Sequence, residues 1–510
     1  MGERSVRRRA MLRSLVSLLG LGTVAAACKP WTWRKPKAAN GNILMLVVDD
    51  LNSWIGCLEE GYGGPRAETP AIDALAQRGV LFRRAYCPAP YCNASRQAVF
   101  SARSPLQSGV YQDEPLWEQE QRPITYLEAL KQQGYTTLCA GKVLHGLYDY
   151  RRAAQENSAR ADWLNREDRA FLWDVREPMP AEPLPGARPL HGIQEEWGSG
   201  RRLSPQLDWG ALPDEWQGKQ PDVLNAEVVI RWLKQPPAQP FFMALGLYRP
   251  HLPWYVPQAD LDAYPLDQIK LPRVLENDLD DVPAIAQQWA LNPADHATIT
   301  GNGQWEQAVQ AYLASVSFTD RQVGRVLQAL AESPSAGNTT VVLWSDNGFH
   351  LGEKQHWRKF TLWEEATRVP FILVPPANQN KISTPKVVDQ PVSLLDLFPT
   401  LFALEGLKQP AGAHDGHSLL PLLCHQSRQQ RLEEAALTSW QEGNHSLRWG
   451  PWRYTKYHTG DEEFYNLTVD PQEWHNLIEQ PKLDGDQQRA LKRLRGELQR
   501  RCTRSKDVTT

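Results

Sequence analysis

The chain has 510 residues, 41% of them hydrophobic, with 56 basic against 59 acidic side chains for a formal charge of −3. That length predicts one large domain plus a smaller one, and the ordinary composition excludes a disordered or fibrous class. The charge balance carries no nucleic-acid footprint, the less so because five arginines and one acid fall in residues 1–27.

Residues 1–28 have a basic start, an apolar stretch from Leu15 to Val24 and small residues before Cys28, the three-part layout of a secretory signal. The apolar run is shorter than the about 20 residues a bilayer core needs, so the segment is set outside the fold. Arg8-Arg9-Ala10-Met11-Leu12-Arg13 has the form of a twin-arginine export motif. Val24 to Cys28 reads either as a lipoprotein processing site, leaving a lipid on Cys28, or as simple cleavage at the alanine run. The expected location is the periplasm or the cell envelope, with a membrane contacted only through that lipid.

"NILMLVVDDLN" (42–52) is a continuous apolar run ending in two acids, the pattern of a strand buried on both faces that delivers Asp49 and Asp50 to its carboxyl end. "TPAIDALAQRG" and "PITYLEALKQQG" follow with helical spacing. "TTLCAGKVLH" (136–145) is the next strand-like run. From about Arg151 to Gln220 the chain reads as irregular, rich in Arg, Trp and Pro, and long loops of this kind are usually functional. "QPFFMALGLYRPH" (239–251) and "TTVVLWSDNG" (339–348) repeat the strand pattern around a long helical stretch, and "QPVSLLDLFPTLFALEGL" (390–407) reads as a last amphipathic helix. Strands alternating with helices predict an α/β domain over 41–427, with a large, mostly parallel central sheet flanked by helices and its ligand site at the strand carboxyl ends. Residues 428–510, rich in Trp and Tyr and ending in a basic amphipathic helix, predict a smaller α+β domain.

Asp49, Asp50, Asp346 and Asn347 place four oxygen-bearing side chains at two strand ends, a donor set for a hard divalent ion such as Ca²⁺ or Mg²⁺. Lys142, His145, His251, Lys359 and Arg96 occur in the loops that follow the strands, and cations around a metal suit an anionic tetrahedral substrate. The cysteines after Cys28, namely Cys57, Cys87, Cys92, Cys139, Cys424 and Cys502, are sparse and lack CxxC spacing, so neither a disulfide scaffold nor a zinc site is indicated.

From about Asn42 onward the chain resembles the formylglycine-dependent sulfatases of the alkaline phosphatase superfamily, most closely the iduronate-2-sulfatase-like branch. The resemblance rests on "LVVDDLN", "CNASRQAVFSARSP", "GKVLHG", "FFMALGLYRPHLP" and "SDNGFHLGEKQHWRKFTLWEEATRVPFIL". It implies an alkaline-phosphatase-like fold and a Cys-x-Pro-x-Arg signature, which Cys92 and Arg96 match and Cys87, followed four residues on by Tyr91, does not. Ala94 replaces the signature proline, Ala102 the glycine of the usual Thr-Gly-Arg, and Asn347 stands where the closest relatives carry His.

The resemblance further implies that Cys92 is oxidised to formylglycine by a formylglycine-generating enzyme before export, and that Asp49, Asp50, Asp346, Asn347 and the modified Cys92 hold the ion. One hydroxyl of the aldehyde hydrate would attack sulfur and the other would later collapse the sulfated intermediate. Arg96 would hold the hydrate, Lys142 and Lys359 the sulfate oxygens, and His145 would serve the release step. His251 is assigned as general acid at the leaving oxygen. His350 and His356 read as loop residues rather than substrate contacts. The expected activity is hydrolysis of a sulfate ester on a carbohydrate, such as a 2-O-sulfated uronic acid unit. Phosphonate or phosphodiester hydrolysis, and a surface protein that binds sulfated glycan without ever being matured, are the alternatives.

Overall fold

The computed structural model describes residues 41–508 apart from 59–63, 117–123, 146–171, 194–202, 425–434, positions 115, 204–205 and 413, and parts of 178–187 and 378–385. The export segment 1–28 with Cys28, and the 427/428 boundary, lie outside the described residues.

Eight strands form the central sheet: β1 (Asn42–Val48), β2 (Val80–Phe82), β3 (Thr136–Gly141), β4 (Val175–Glu177), β5 (Phe241–Leu247), β6 (Thr339–Ser345), β7 (Phe371–Val374) and β8 (Lys386–Val388). Their spatial order is β8-β2-β7-β6-β1-β5-β3-β4, parallel throughout except that β7 runs against both its neighbours. The helices used below are α1 (Pro70–Arg78), α2 (Cys92–Ser101), α3 (Pro105–Ser108), α4 (Tyr126–Gln132), α5 (Pro221–Lys234), α6 (Trp305–Ala331), α7 (Leu397–Glu405) and α8 (Gly485–Val508). Alternation along β1 explains its unbroken apolar run: Leu44, Leu46 and Val48 pack on α1, α5 and α6, while Ile43, Met45 and Val47 pack on α2, α4 and α7. Polar groups can therefore leave the sheet only at its ends.

Two expectations are corrected. The 390–407 stretch is not one amphipathic helix: a strand at Val392–Ser393 and a Ser393–Asp396 capping box precede α7, which is buried at seven of its nine positions because it lies between the sheet and the 419–423 segment. The region read as irregular over 151–220 contributes β4 at the sheet edge, and Trp209–Leu212, which pairs with Trp254–Pro257. A three-residue edge strand needs hydrogen bonds on one side only, which a stretch without regular apolar alternation can supply.

At the C-terminus four antiparallel strands, β9 (Ala436–Ser439), β10 (His445–Trp449), β11 (Trp452–Lys456) and β12 (Glu462–Asn466), cover α8 through Leu437, Leu447, Tyr454 and Phe464 against Leu491, Leu494 and Leu498. Arg453 of β11 reaches back to Glu364 and to Glu473. Lys354 reaches Asp278 (2.5 Å) and the Glu473 carbonyl (2.5 Å). These buried ion pairs join the small sheet to the chain segment that carries Lys359.

Candidate active site

Four adjacent parallel strands, β6, β1, β5 and β3, end on the same edge of the sheet, and the predicted polar residues follow them directly. Asp50 turns the chain out of β1 with a left-handed backbone (φ 59°), a conformation Asp tolerates better than most residues. Cys92 is the first residue of α2, and Arg96 lies one helical turn further along the same face. The wholly buried Arg96 guanidinium donates through Nε to Asp346 Oδ2 (2.7 Å), through Nη2 to Asp49 Oδ1 (2.8 Å), and through Nη1 to the carbonyls of Lys142 and Val143. One side chain thus pins the ends of β6, β1 and β3.

Lys142 Nζ bonds Asp49 Oδ2, while Lys359 Nζ bonds Asp50 Oδ1 (2.5 Å) and Cys92 Sγ (2.8 Å). Candidate ligand atoms of Asp49, Asp50, Cys92 and Asp346 all lie within 4.8 Å of one another. Asn347 donates to Asp50 Oδ1 (2.8 Å), and its buried Oδ1 has no hydrogen-bond partner. His251 Nδ1 donates to the Leu252 carbonyl (2.8 Å), which leaves Nε2 facing Asp50 Oδ2 at 3.8 Å. His145 stands apart: Nε2 is 3.9 Å from Asp113 Oδ1, the ring packs beside Tyr91, and the buried Nδ1 has no hydrogen-bond partner. The structure therefore gathers Asp49, Asp50, Cys92, Arg96, Lys142, His251, Asp346, Asn347 and Lys359, with the more exposed His145 turned to Asp113.

Clustered carboxylates repel one another unless cations offset their charge. Here Arg96, Lys142 and Lys359 balance Asp49, Asp50 and Asp346 charge for charge. Burial pushes the Asp49 carboxyl up, but Lys142 and Arg96 outweigh it and hold it well below the usual carboxylate range. Asp346 is pushed up to about 6 by burial, with Arg96 opposing and Asp49 and Asp50 adding. Burial, then Asp346 and Asp49, raise the Cys92 thiol well above its ordinary value. Burial followed by Lys142 lowers His251 to about 3 and drives His145 well below its usual range, so both rings are neutral near pH 7.

Several supporting residues carried no sequence signal. Tyr312, on α6, donates to the Asp50 carbonyl (2.9 Å) and accepts from Asn52 N (2.9 Å). Ser95 donates to the Asp346 carbonyl (2.6 Å), and Ser345, just before Asp346, accepts from Leu51 N (2.9 Å). Asp222 accepts from the backbone N–H groups of Tyr248 (2.6 Å) and Arg249 (2.9 Å), fixing the strap that ends in His251. His350, read as a loop residue, lies instead in a short strand paired with Trp357–Arg358 and bonds Thr361 (2.8 Å), while His356 contacts the Lys359 carbonyl (2.7 Å). The buried Cys87 is a free thiol.

The two departures on α2 are accommodated. Position 94 lies in the first helical turn, where a backbone N–H has no intrahelical acceptor, so Pro or Ala fits. Ala102 caps α2 in the left-handed region (φ 51°, ψ 32°), the conformation a glycine would supply without strain.

A family model described as Sulfatase matches residues 41–407, and one described as N-sulphoglucosamine sulphohydrolase, C-terminal, matches residues 352–501. A Sulfatase of Formosa agariphila is 34% identical over 459 residues, covering 85% of this chain and 82% of that protein. Iduronate 2-sulfatase of Mus musculus is 30% identical over 406 residues, covering 72% and 69%. A solved 2-O GAG sulfatase superposes with TM-score 0.67 at 23% identity, covering 92% of this chain and 93% of its own. The phosphonate monoester hydrolase of Agrobacterium radiobacter gives TM-score 0.67 at 19% identity, covering 90% and 96%.

Proposed function

The chain belongs to the sulfatase family and is a sulfuric ester hydrolase, and from that premise we propose that it desulfates a sulfated saccharide through a formylglycine made from Cys92 and a bound divalent ion. The substrate class follows the names of the relatives, iduronate 2-sulfatase and a 2-O GAG sulfatase, and points to 2-O-sulfated uronic acid units of a glycosaminoglycan-type chain. Export to the periplasm or envelope belongs to the same reading. Among the described residues no helix is long and apolar enough to cross a membrane.

One observation carries the proposal: Cys92 is sealed among three carboxylates at a helix N-terminus, where its thiol stays protonated. A thiol that does not ionise is a poor nucleophile. Sulfur is also a mismatched neighbour for a hard ion, while an oxygen at that position completes an oxygen donor set. The remaining donors fit such an ion, for Asp49, Asp50 and Asp346 converge and the buried Asn347 Oδ1 is unpartnered. These residues and the modified Cys92 would hold Ca²⁺, or Mg²⁺ in the same set, which when bound supplies Lewis-acid polarisation of a sulfate oxygen. Formylglycine, as its hydrate, supplies the attacking hydroxyl and a second hydroxyl whose deprotonation releases sulfate.

The chain's own groups do the rest. With three cations already balancing three carboxylates, a divalent ion leaves the pocket with a positive excess suited to a sulfate ester. Lys142 and Lys359, whose ammonium groups reach Asp49 and Asp50, would turn to sulfate oxygens, while Arg96 stays locked as the scaffold. His251 presents Nε2 to the site, and as a neutral ring it accepts there. It becomes a donor to the leaving oxygen on taking a second proton, which an approaching anion favours. His145, neutral and with its buried Nδ1 without a hydrogen-bond partner, would handle the proton of the release step.

The test is sulfate release from defined 2-O-sulfated disaccharides, compared with hydrolysis of an aryl phosphodiester by the same matured protein. Preference for the sulfate ester by a hundredfold or more in kcat/KM is expected. Equal or greater phosphodiester turnover would overturn the substrate assignment.

A further inference from the structure

Helix α8 holds eight basic and three acidic residues, a formal +5 on a chain whose net charge is −3. Its apolar face is spent on the small domain's core, through Ala490, Leu491, Leu494 and Leu498. At about 100° per residue, Arg489, Arg493, Arg500 and Arg504 fall within one sector about 60° wide, running about 22 Å along the helix. All four are exposed. Between residues 487 and 505 the single acid is Glu497, which is buried and bonded to Arg501 (2.7 Å) and Ala435 N (2.8 Å). At its start Arg489 is paired with the exposed Asp486, and from Arg493 to Arg504 no other acid of the helix interrupts the stripe. Arg493 lies over the Trp449 ring at 4.3 Å, and Trp449 is itself partly exposed.

We propose that this arginine stripe is an exosite that binds the sulfated polysaccharide chain away from the catalytic pocket, a reading that rests on the substrate class proposed above. Repeated sulfate groups match a row of guanidinium forks, which pair with tetrahedral oxyanions through two parallel hydrogen bonds. A polyanionic chain is favoured over a lipid surface because the exposed sector, past Asp486 at its start, offers Arg, Lys, Gln, Thr and Gly and no apolar side chain to enter a bilayer. The stripe is also distinct from the pocket. Cys92 opens α2, a helix about 15 Å long, and α8 packs with Leu106 of α3, beyond the far end of α2. A short oligosaccharide bound at Cys92 does not reach it; a polymer does.

The test compares the full, matured protein with its R489Q/R500Q/R504Q variant on a heparin column, on a sulfated glycosaminoglycan polymer and on a small aryl sulfate. The variant is expected to elute at lower salt and to show about a tenfold higher KM for the polymer, three exposed ion pairs' worth, with kcat and the aryl sulfate constants unchanged. Equal elution, or a polymer KM that does not move, overturns the exosite. So does a wild-type protein that sediments with phosphatidylglycerol vesicles and ignores heparin. If wild type hydrolyses neither substrate, the substrate reading fails, and column retention alone still decides the stripe.

Discussion

Arg96→Ala tests the claim that one guanidinium assembles the site. Arg96 makes two charge-assisted bonds to Asp346 (2.7 Å) and Asp49 (2.8 Å) and also covers the Lys142 and Val143 carbonyls, all without solvent. Bonds to charged groups are worth about 1.5–3 kcal/mol each, and removing one partner of a buried ion pair costs about 3–5 kcal/mol because a charge is stranded. The variant is therefore expected to lose about 3–5 kcal/mol of stability, measured by urea unfolding with tryptophan fluorescence in EDTA. Added Ca²⁺ should restore more stability to the variant than to wild type, since the freed carboxylates need a cation more. A loss below about 1 kcal/mol, the scale of an exposed pair, would refute the pinning role.

Lys359→Ala should lower kcat/KM on an aryl sulfate about 10²–10³-fold, with circular dichroism unchanged; an active variant would remove Lys359 from the sulfate-binding set. Ala102→Gly should be neutral to stabilising by up to about 1 kcal/mol, read as a shift in urea midpoint, because it relieves a left-handed alanine. Burial raises Asp222 to about 7, opposed by its two backbone hydrogen bonds. Between about pH 4 and 7 the folded state keeps a proton the unfolded chain has released, so this group costs stability as pH rises through that window. Asp222→Asn should flatten that part of the stability–pH profile, and an unchanged slope would place the titration elsewhere.

Much of the site was legible because its residues sit at the ends of strands whose apolar runs are unmistakable. Asp49, Asp50, Asp346 and Asn347 each terminate such a run, and buried parallel strands can expose polar groups only there. The family motifs singled out Cys92 and gave roles to Arg96 and Lys359, whose meeting depends on tertiary packing. What escaped was the support: Tyr312 lies in mid-helix and Asp222 at a helix start, and both meet the site across hundreds of positions or through backbone N–H groups that no local pattern encodes. The same holds for short edge elements such as β4, whose pairing to β3 is decided by the sheet and not by three residues. The tautomer of His251 also followed from the Leu252 carbonyl, a contact the sequence cannot display.

Everything proposed for catalysis rests on conversion of Cys92 to the oxygen nucleophile. Its most direct test is the mass of the tryptic peptide spanning Cys92, from protein produced together with a formylglycine-generating enzyme and assayed in parallel for sulfate release. The expected peptide carries an aldehyde in place of the thiol, in a fraction that tracks activity across preparations. A fully unmodified thiol in protein that releases sulfate at full rate would contradict it.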